Sequence, residues 1–250
     1  MQSLGRAFEL LERLADAGGE LSLSQLAAAT GLPPPTIHRI MQTLVARGYV
    51  RREPSRRYAL GPRLIRLGEV AGHTMGSWAM PYLGELAAEI GETANLAMLE
   101  GDAAVYLAQV PSRHSMRMFT EVGRRVMPHC TGVGKALLSE LPAAEVREMV
   151  ARIGLPAQTE HTISDVEALM VELGSIRERG YAVDDGEQEI GVRCVAVPVR
   201  GTPARIALSV SGPSARVTKD RIAEIAPVLQ RAAARLAVDI AGGRAGEAAE

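Results

Sequence analysis

The chain has 250 residues, 47% of them apolar and 23% charged, which is the composition of a folded globular protein and not of a disordered one. No apolar run approaches the ~20 residues of a membrane span, and the opening MQSLGRAFEL has no basic-then-apolar leader. Cys130 and Cys194 make neither a disulfide framework nor a Cys-x-x-Cys zinc pair, so a cytoplasmic protein without membrane attachment is expected.

The net charge of −1 hides an asymmetry. Residues 1–68 hold ten Arg and five acids, a net +5, while residues 69–250 hold 18 basic and 24 acidic side chains, a net −6. Eight Arg fall between positions 39 and 66 against the single acid Glu53. A basic head on an acidic body points to a polyanion as the head's partner.

In chain order, Leu4, Ala7, Phe8, Leu11, Leu14 and Ala15 recur at helical spacing, and Gly18-Gly19 ends that helix. Ser22 and Gln25 fit a capping box for a second helix that stops at Gly31. A third helix is predicted to begin at Pro35, since a residue before proline avoids helical angles, and to run to Ala46 with Gly48 just beyond its end. Strands at 49–52 and 57–60 flank the turn Glu53-Pro54-Ser55-Arg56. Helix, helix, turn, helix and hairpin make a winged helix-turn-helix. A linker helix over 62–74 carries Leu64, Ile65, Leu67, Gly68 and Val70, a stripe suited to a dimer contact.

Beyond it the pattern is mixed α/β. The predicted elements are a helix at 81–90, strands at 93–99, 103–110, 116–120 and 124–128, and helices at 133–140, 142–152 and 164–179. The last of these is opened by a Ser164/Glu167 capping box. Strands at 181–185, 193–200 and 204–211 and a helix at 218–240 complete the body. The domains expected are a DNA-binding head (1–61), a linker (62–78), an effector domain (79–242) and a frayed tail (243–250).

In a helix-turn-helix the second helix enters the major groove by its N-terminal turn. Thr36, His38 and Arg39 are the polar side chains there, and Arg39 can grip guanine O6 and N7 with two bonds. Arg51, Arg52, Arg56 and Arg57 lie on the wing, where phosphate or minor-groove contact is expected. Pro33, Pro34 and Pro35 can offer a phosphate neither N–H groups nor polar side chains.

TGVGKALL (131–138) resembles a phosphate loop but lacks its first glycine and its metal-binding hydroxyl, since His129 and Ala136 stand in those places. What remains is a glycine-led helix start, an anion site through free N–H groups after Gly132 and Gly134. Asp184 lies on an acidic loop that returns into a strand carrying Cys194, while Ser209 and Ser211 share one face of the next strand. Cys130, Cys194, His129 and Asp184 are acceptable metal ligands by type but have no ligand spacing. Neither metal nor cofactor is expected. The rival reading is an enzyme with Cys194 as nucleophile and His114, His129 or His161 as its base.

Six ordered blocks, TGLPPPTIHRIMQTLVARGYV, RRYALGPRLIRLG, GETANLAMLEGDAAVYLAQV, MRMFTEVGRRVMPHCTGVGKALL, RGYAVDDGEQEIGVRCVAVPV and LSVSGP, make the chain resemble the IclR family of bacterial transcriptional regulators along nearly its full length. The resemblance implies an α+β protein with a winged-helix head, a linker helix and a GAF/PAS-like effector domain, assembled as dimers that pair into tetramers. It implies operator DNA and a small, often carboxylate-bearing effector as partners, action as a repressor or an activator, with a repressor expected here, and no catalysis. It places the effector pocket on Gly132, Val133, Asp184, Val192, Cys194, Ser209 and Ser211. Within the family the chain looks most similar to regulators of allantoin and purine-ureide use, which implies a glyoxylate- or ureide-type ligand. Many relatives carry a basic and a hydroxyl residue where this chain has Pro34 and Pro35.

Overall fold

The computed structural model describes residues 2–118 and 120–242, and the chain separates into two units between Ala71 and Gly72. The expected frayed tail lies outside the described residues.

In the first unit the elements are α1 (Gln2–Asp16), β1 (Glu20–Leu21), α2 (Leu23–Thr30), α3 (Pro34–Ala46), β2 (Val50–Arg52) and β3 (Tyr58–Leu60). Leu10, Leu14, Leu26, Ile37, Met41, Val50 and Tyr58 form their common core. The expected capping box is present, with the Ser22 hydroxyl accepting from Gln25 N–H while the Gln25 side chain accepts from Ser22 N–H. Three details differ from expectation. Of the apolar stripe read along α1, Leu4 and Phe8 are exposed, and Leu10, which that stripe did not include, is buried beside Leu14. Helix α3 starts one residue earlier, at Pro34, because Pro33 serves as the N-cap and its carbonyl takes the Thr36 and Ile37 N–H groups. The wing gains a third strand, since β1 pairs with β3 to give the order β1-β3-β2. Two residues are too short for a periodicity to reveal.

Helix α4 spans Arg63–Gly76, ending two residues later than expected, and a 3₁₀ turn follows at Ser77–Ala79. The second unit then contains α5 (Met80–Ile90), β4 (Thr93–Glu100), β5 (Ala103–Val110), β6 (Arg125–Val126), α6 (Gly132–Ser139), α7 (Ala143–Ile153), α8 (Val166–Arg179), β7 (Ala182–Asp185), β8 (Val192–Val199), β9 (Ile206–Pro213) and α9 (Lys219–Ala241). The six strands form one antiparallel sheet in the order β6-β5-β4-β9-β8-β7. The strand expected at 116–120 is absent from the described part of that segment, Phe119 lying outside it. The strand expected at 124–128 shrinks to β6 because Pro128 opens a 3₁₀ turn through Cys130. The cap of α8 is Asp165 and not Ser164, its carboxylate accepting from Ala168 N–H at 2.8 Å. An ionised acceptor at a helix start outcompetes a hydroxyl.

Side chains alternate along these strands, so the sheet has two unlike faces. Leu96, Val195, Val197, Val199, Leu208 and Val210 pack with Leu83 and Leu86 of α5 and Leu229 and Leu236 of α9. The opposite face is Ala97, Ala104, Ala182, Ala196 and Ala207, packed under Val133, Leu137 and Leu138 of α6 and Leu169, Leu173 and Ile176 of α8. Bulky residues face one helix layer and alanines the other.

The segment leading toward α6 is held from the sheet's end. Buried Glu92 takes two bonds from the Arg216 guanidinium, one of 2.8 Å, and the same guanidinium donates to Met116 O at 2.9 Å. Removing one partner of a buried pair strands the other's charge. Arg216→Met should therefore cost about 3 kcal/mol by chemical denaturation, whereas Arg147→Met, which breaks the exposed pair with Glu167, should leave the unfolding midpoint where it is.

Candidate functional site

On the head, α3 leaves Arg39 exposed and Thr36 and His38 half-buried. The Arg39 guanidinium bonds no protein group among the described residues, so it is free to meet a base edge. The wing arginines are not equivalent. Arg57 donates to Glu20 O at 3.2 Å and pairs with the Glu20 carboxylate at 3.1 Å, which ties β3 to β1. Arg51 donates to Leu60 O and pairs with Glu53, and Arg52 lies over the Tyr58 ring. Arg56 is exposed, and with φ at +65° it is the one non-glycine residue in the left-handed region among the described residues. Arg56 N–H donates to Glu53 O, and Glu53 N–H donates to Arg57 O. This is the hairpin turn in which the left-handed position is normally given to glycine. Holding a side chain there costs about 1–2 kcal/mol.

The second unit contains a cleft lined by Tyr106, Met118, Thr120, Arg124, Val126, Thr131, Gly132, Asp184, Gln188, Glu189, Val192, Cys194 and Ser211. Strand register explains why distant residues meet there. Asp184 of β7 pairs with Cys194 of β8, and Cys194 pairs with Ser211 of β9, so the three share one cross-strand row on the alanine face. Above this row stands the start of α6. A Cβ on Gly132 would lie 2.8 Å from Cys194 Sγ, and one on Gly134 would lie 2.3 Å from the Pro128 backbone. Both glycines are there for close approach.

Of the residues assigned to the pocket by sequence, Gly132, Asp184, Val192, Cys194 and Ser211 line the cleft. Val133 and Ser209 do not. Val133 points into the core under α6, and Ser209, one row deeper, accepts from the Asn95 amide at 3.4 Å. The anion site at the helix start is also narrower than expected, because the Thr131 hydroxyl accepts the Gly134 N–H at 3.2 Å. The N–H groups left over are those of Gly132 and Val133, which bond no protein group among the described residues. Sequence reasoning missed Tyr106, Met118, Thr120, Arg124 and Gln188. No periodicity marks them, although a hydroxyl, a guanidinium and an amide near a glycine-led helix are the right chemistry.

Asp184 is buried, and burial pushes its carboxyl up to about 7 despite the bonds Oδ1 accepts from Glu187 N–H (2.7 Å) and Gln188 N–H (3.4 Å). Burial likewise pushes the Cys194 thiol up to about 11 and the Cys130 thiol up to about 12, so neither is a thiolate nucleophile near neutrality. His129 is buried and held neutral by desolvation, with Nε2 on Pro156 O. Among the described residues no group of three His, Cys, Asp or Glu is placed to hold a metal ion, and no helix is long and apolar enough to cross a membrane.

A helix-turn-helix domain of the IclR type matches residues 3–54, and the C-terminal domain of the bacterial transcriptional regulator IclR matches residues 70–238. The chain belongs to the IclR family. It is 34% identical to the transcriptional repressor IclR of Escherichia coli (strain K12), across 98% of this chain and 92% of that protein. It is also 34% identical to the HTH-type transcriptional regulator BhcR of Paracoccus denitrificans, across 96% of this chain and 88% of the relative. The crystal structure of the IclR transcriptional regulator from Alicyclobacillus acidocaldarius superposes with a TM-score of 0.82 at 29% identity, covering 95% of this chain and 98% of that one. This IclR-family chain is thus a transcriptional regulator with a DNA-binding helix-turn-helix head and an effector-binding α/β domain. The enzyme reading built on Cys194 is not supported, since the relatives are regulators.

The strained turn offers a direct check on the wing. Arg56→Gly relieves the positive φ and gives back part of that gain as unfolded-chain entropy. Thermal unfolding should show a net stabilisation of about 0.5 kcal/mol, while the salt dependence of DNA affinity becomes shallower. A stabilised head with unaltered DNA binding would deny Arg56 a role at the nucleic acid.

Proposed function

We propose that this IclR-family protein is a repressor that binds a paired operator as a dimer and responds to a short oxo acid of glyoxylate size. The supporting observation is the cleft's division of labour. The free N–H group of Gly132 and the Ser211 hydroxyl suit a carboxylate, while the Asp184 carboxyl, one strand along the same row, suits the hydroxyls of a hydrated aldehyde. The cavity is about 50 Å³, where one water needs roughly 10–15 Å³. It accommodates a ligand of a few heavy atoms, which favours a short oxo acid over a ureide such as allantoate. Cys194 supplies a small wall that a larger side chain would close.

For DNA, Thr36, His38 and Arg39 read bases, and Arg51, Arg52, Arg56 and Arg57 supply the wing's positive charge. Exposed Ile65, Leu67 and Val70 on α4 give the apolar surface that a dimer covers. Arg39→Ala should cost about 1–3 kcal/mol on the operator and little on random DNA in gel-shift titrations. Equal losses on both would remove Arg39 from base readout.

The effector reading carries a pH signature. A ligand carboxylate near Asp184 favours its protonated form, so binding takes up a proton. Glyoxylate affinity measured by calorimetry should therefore fall as pH rises through about 7, and Asp184→Asn should flatten that profile. A wild-type protein whose unfolding temperature ignores millimolar glyoxylate and pyruvate would sink the oxo-acid assignment.

A further inference from the structure

One turn into α6, directly behind the cleft, Lys135 is 1% exposed and heads the fully buried side chains by volume. Its ammonium pairs with Glu187 and lies 3.9 Å from Glu172 Oε1 of α8. An apolar residue in that place would spare the chain the desolvation of a buried charge. Burial of the lysine is matched by a second oddity, because Glu187 Oε2 is buried without a hydrogen-bond partner. Glu187 sits in the turn between β7 and β8, and that turn gives the cleft Gln188 and Glu189, with Val192 following at the start of β8.

The turn is tied both to Asp184 and to the segments beside it. Glu187 N–H donates to Asp184 Oδ1 at 2.7 Å, and Gln188 N–H reaches the same oxygen at 3.4 Å. The Glu187 carbonyl accepts the Thr162 hydroxyl at 2.7 Å and the Thr159 hydroxyl at 3.2 Å, and Gly186 O accepts Thr159 at 2.7 Å. The Gln188 side chain accepts the Cys130 thiol at 3.1 Å. Asp184 Oδ2 bonds no protein group among the described residues. One oxygen is committed to the turn, and the other is left to a ligand.

We propose that Lys135 is the positioning residue of the effector cleft: by holding Glu187 it anchors the 184–188 turn, so that Asp184 keeps Oδ1 on the turn's N–H groups and offers Oδ2 to the bound molecule. The inference rests on the effector reading above, and it assigns a purpose to a buried charge that the pocket itself does not touch. The titratable groups facing Asp184 are Glu187 from its own turn, Lys135 from α6, Cys194 from β8, Cys130 from the 3₁₀ turn and Tyr106 from β5. Lys135 is the cation among them. It draws the Asp184 carboxyl down while burial and Glu187 push it up, and the turn's N–H bonds to Oδ1, which also hold it down, depend on the same anchor, so its loss should raise Asp184.

The test uses the full-length protein and reads the turn before any ligand is added. Carbon-13 NMR of the aspartate carboxyls, assigned by difference from Asp184→Asn, follows the Asp184 titration in wild type and in Lys135→Met. The midpoint should rise by about one pH unit in the variant, and a midpoint that stays or falls overturns the proposal. Should Lys135→Met fail to fold, Lys135→Met/Glu187→Gln removes both buried charges at similar volume. In that variant the Glu187 and Gln188 amides should exchange with solvent at least about tenfold faster while the amides of β8 hold, and unchanged rates overturn the proposal equally. Glyoxylate calorimetry on the same samples should show about tenfold weaker binding with operator affinity intact. A wild type that does not bind glyoxylate defeats the effector reading alone, since the carboxyl titration and amide exchange still decide the role of Lys135.

Discussion

The effector domain depends on how closely one helix approaches one sheet. Helix α6 starts within backbone contact of its surroundings, because Gly134 faces the Pro128 main chain and Gly132 faces the Cys194 side chain. The sheet cooperates by presenting alanines at positions 97, 104, 182, 196 and 207 to that layer. A methyl group is the largest side chain that lets a helix sit so low, and bulkier residues would lift α6 and open the cavity into a groove. Small side chains on one face and branched ones on the other let the same six strands support a tight site and a conventional core.

Around that close approach the chain gathers more buried charge than stability requires. Asp184, Glu187 and Lys135 are all buried within a few residues of the cleft, and Glu172 completes the cluster from α8. Such groups are costly unless hydrogen-bonded or paired. The turn meets most of that cost with two threonine hydroxyls and its own N–H groups. The remainder, Asp184 Oδ2 and the N–H group of Gly132, is polar capacity held open in a small cavity. A regulator needs such capacity, because a ligand changes an equilibrium only through interactions that one state lacks without it.

The head divides its positive charge between structure and contact. Arg57 and Arg51 spend their hydrogen bonds on Glu20, Leu60 and Glu53 inside the wing, yet they still add to the field that attracts a polyanion. Arg39 and Arg56 keep exposed guanidinium groups. The proline run that opens α3 removes donors from the helix start.

By itself the sequence marked most of the elements and most of the caps. Those features are local, since a capping box, a glycine after a helix and a 3.6-residue period all act within one turn of chain. It also marked Gly132, Asp184, Cys194 and Ser211, because glycines before a helix, an acid in a loop and alternating serines are local patterns too. Only the tertiary structure decided which of them share a site. Register puts Asp184, Cys194 and Ser211 in one row and Ser209 in the next, and a two-residue step along a strand moves a hydroxyl from the cavity to a buried amide. The two-residue strand β1 and the choice of Asp165 over Ser164 as a cap were likewise settled by partners far away in sequence or by competition between neighbours. Lys135 is the clearest case: in the sequence it is one lysine inside TGVGKALL, and its burial against Glu187 and Glu172 exists because two segments 37 and 52 positions further along fold back onto α6.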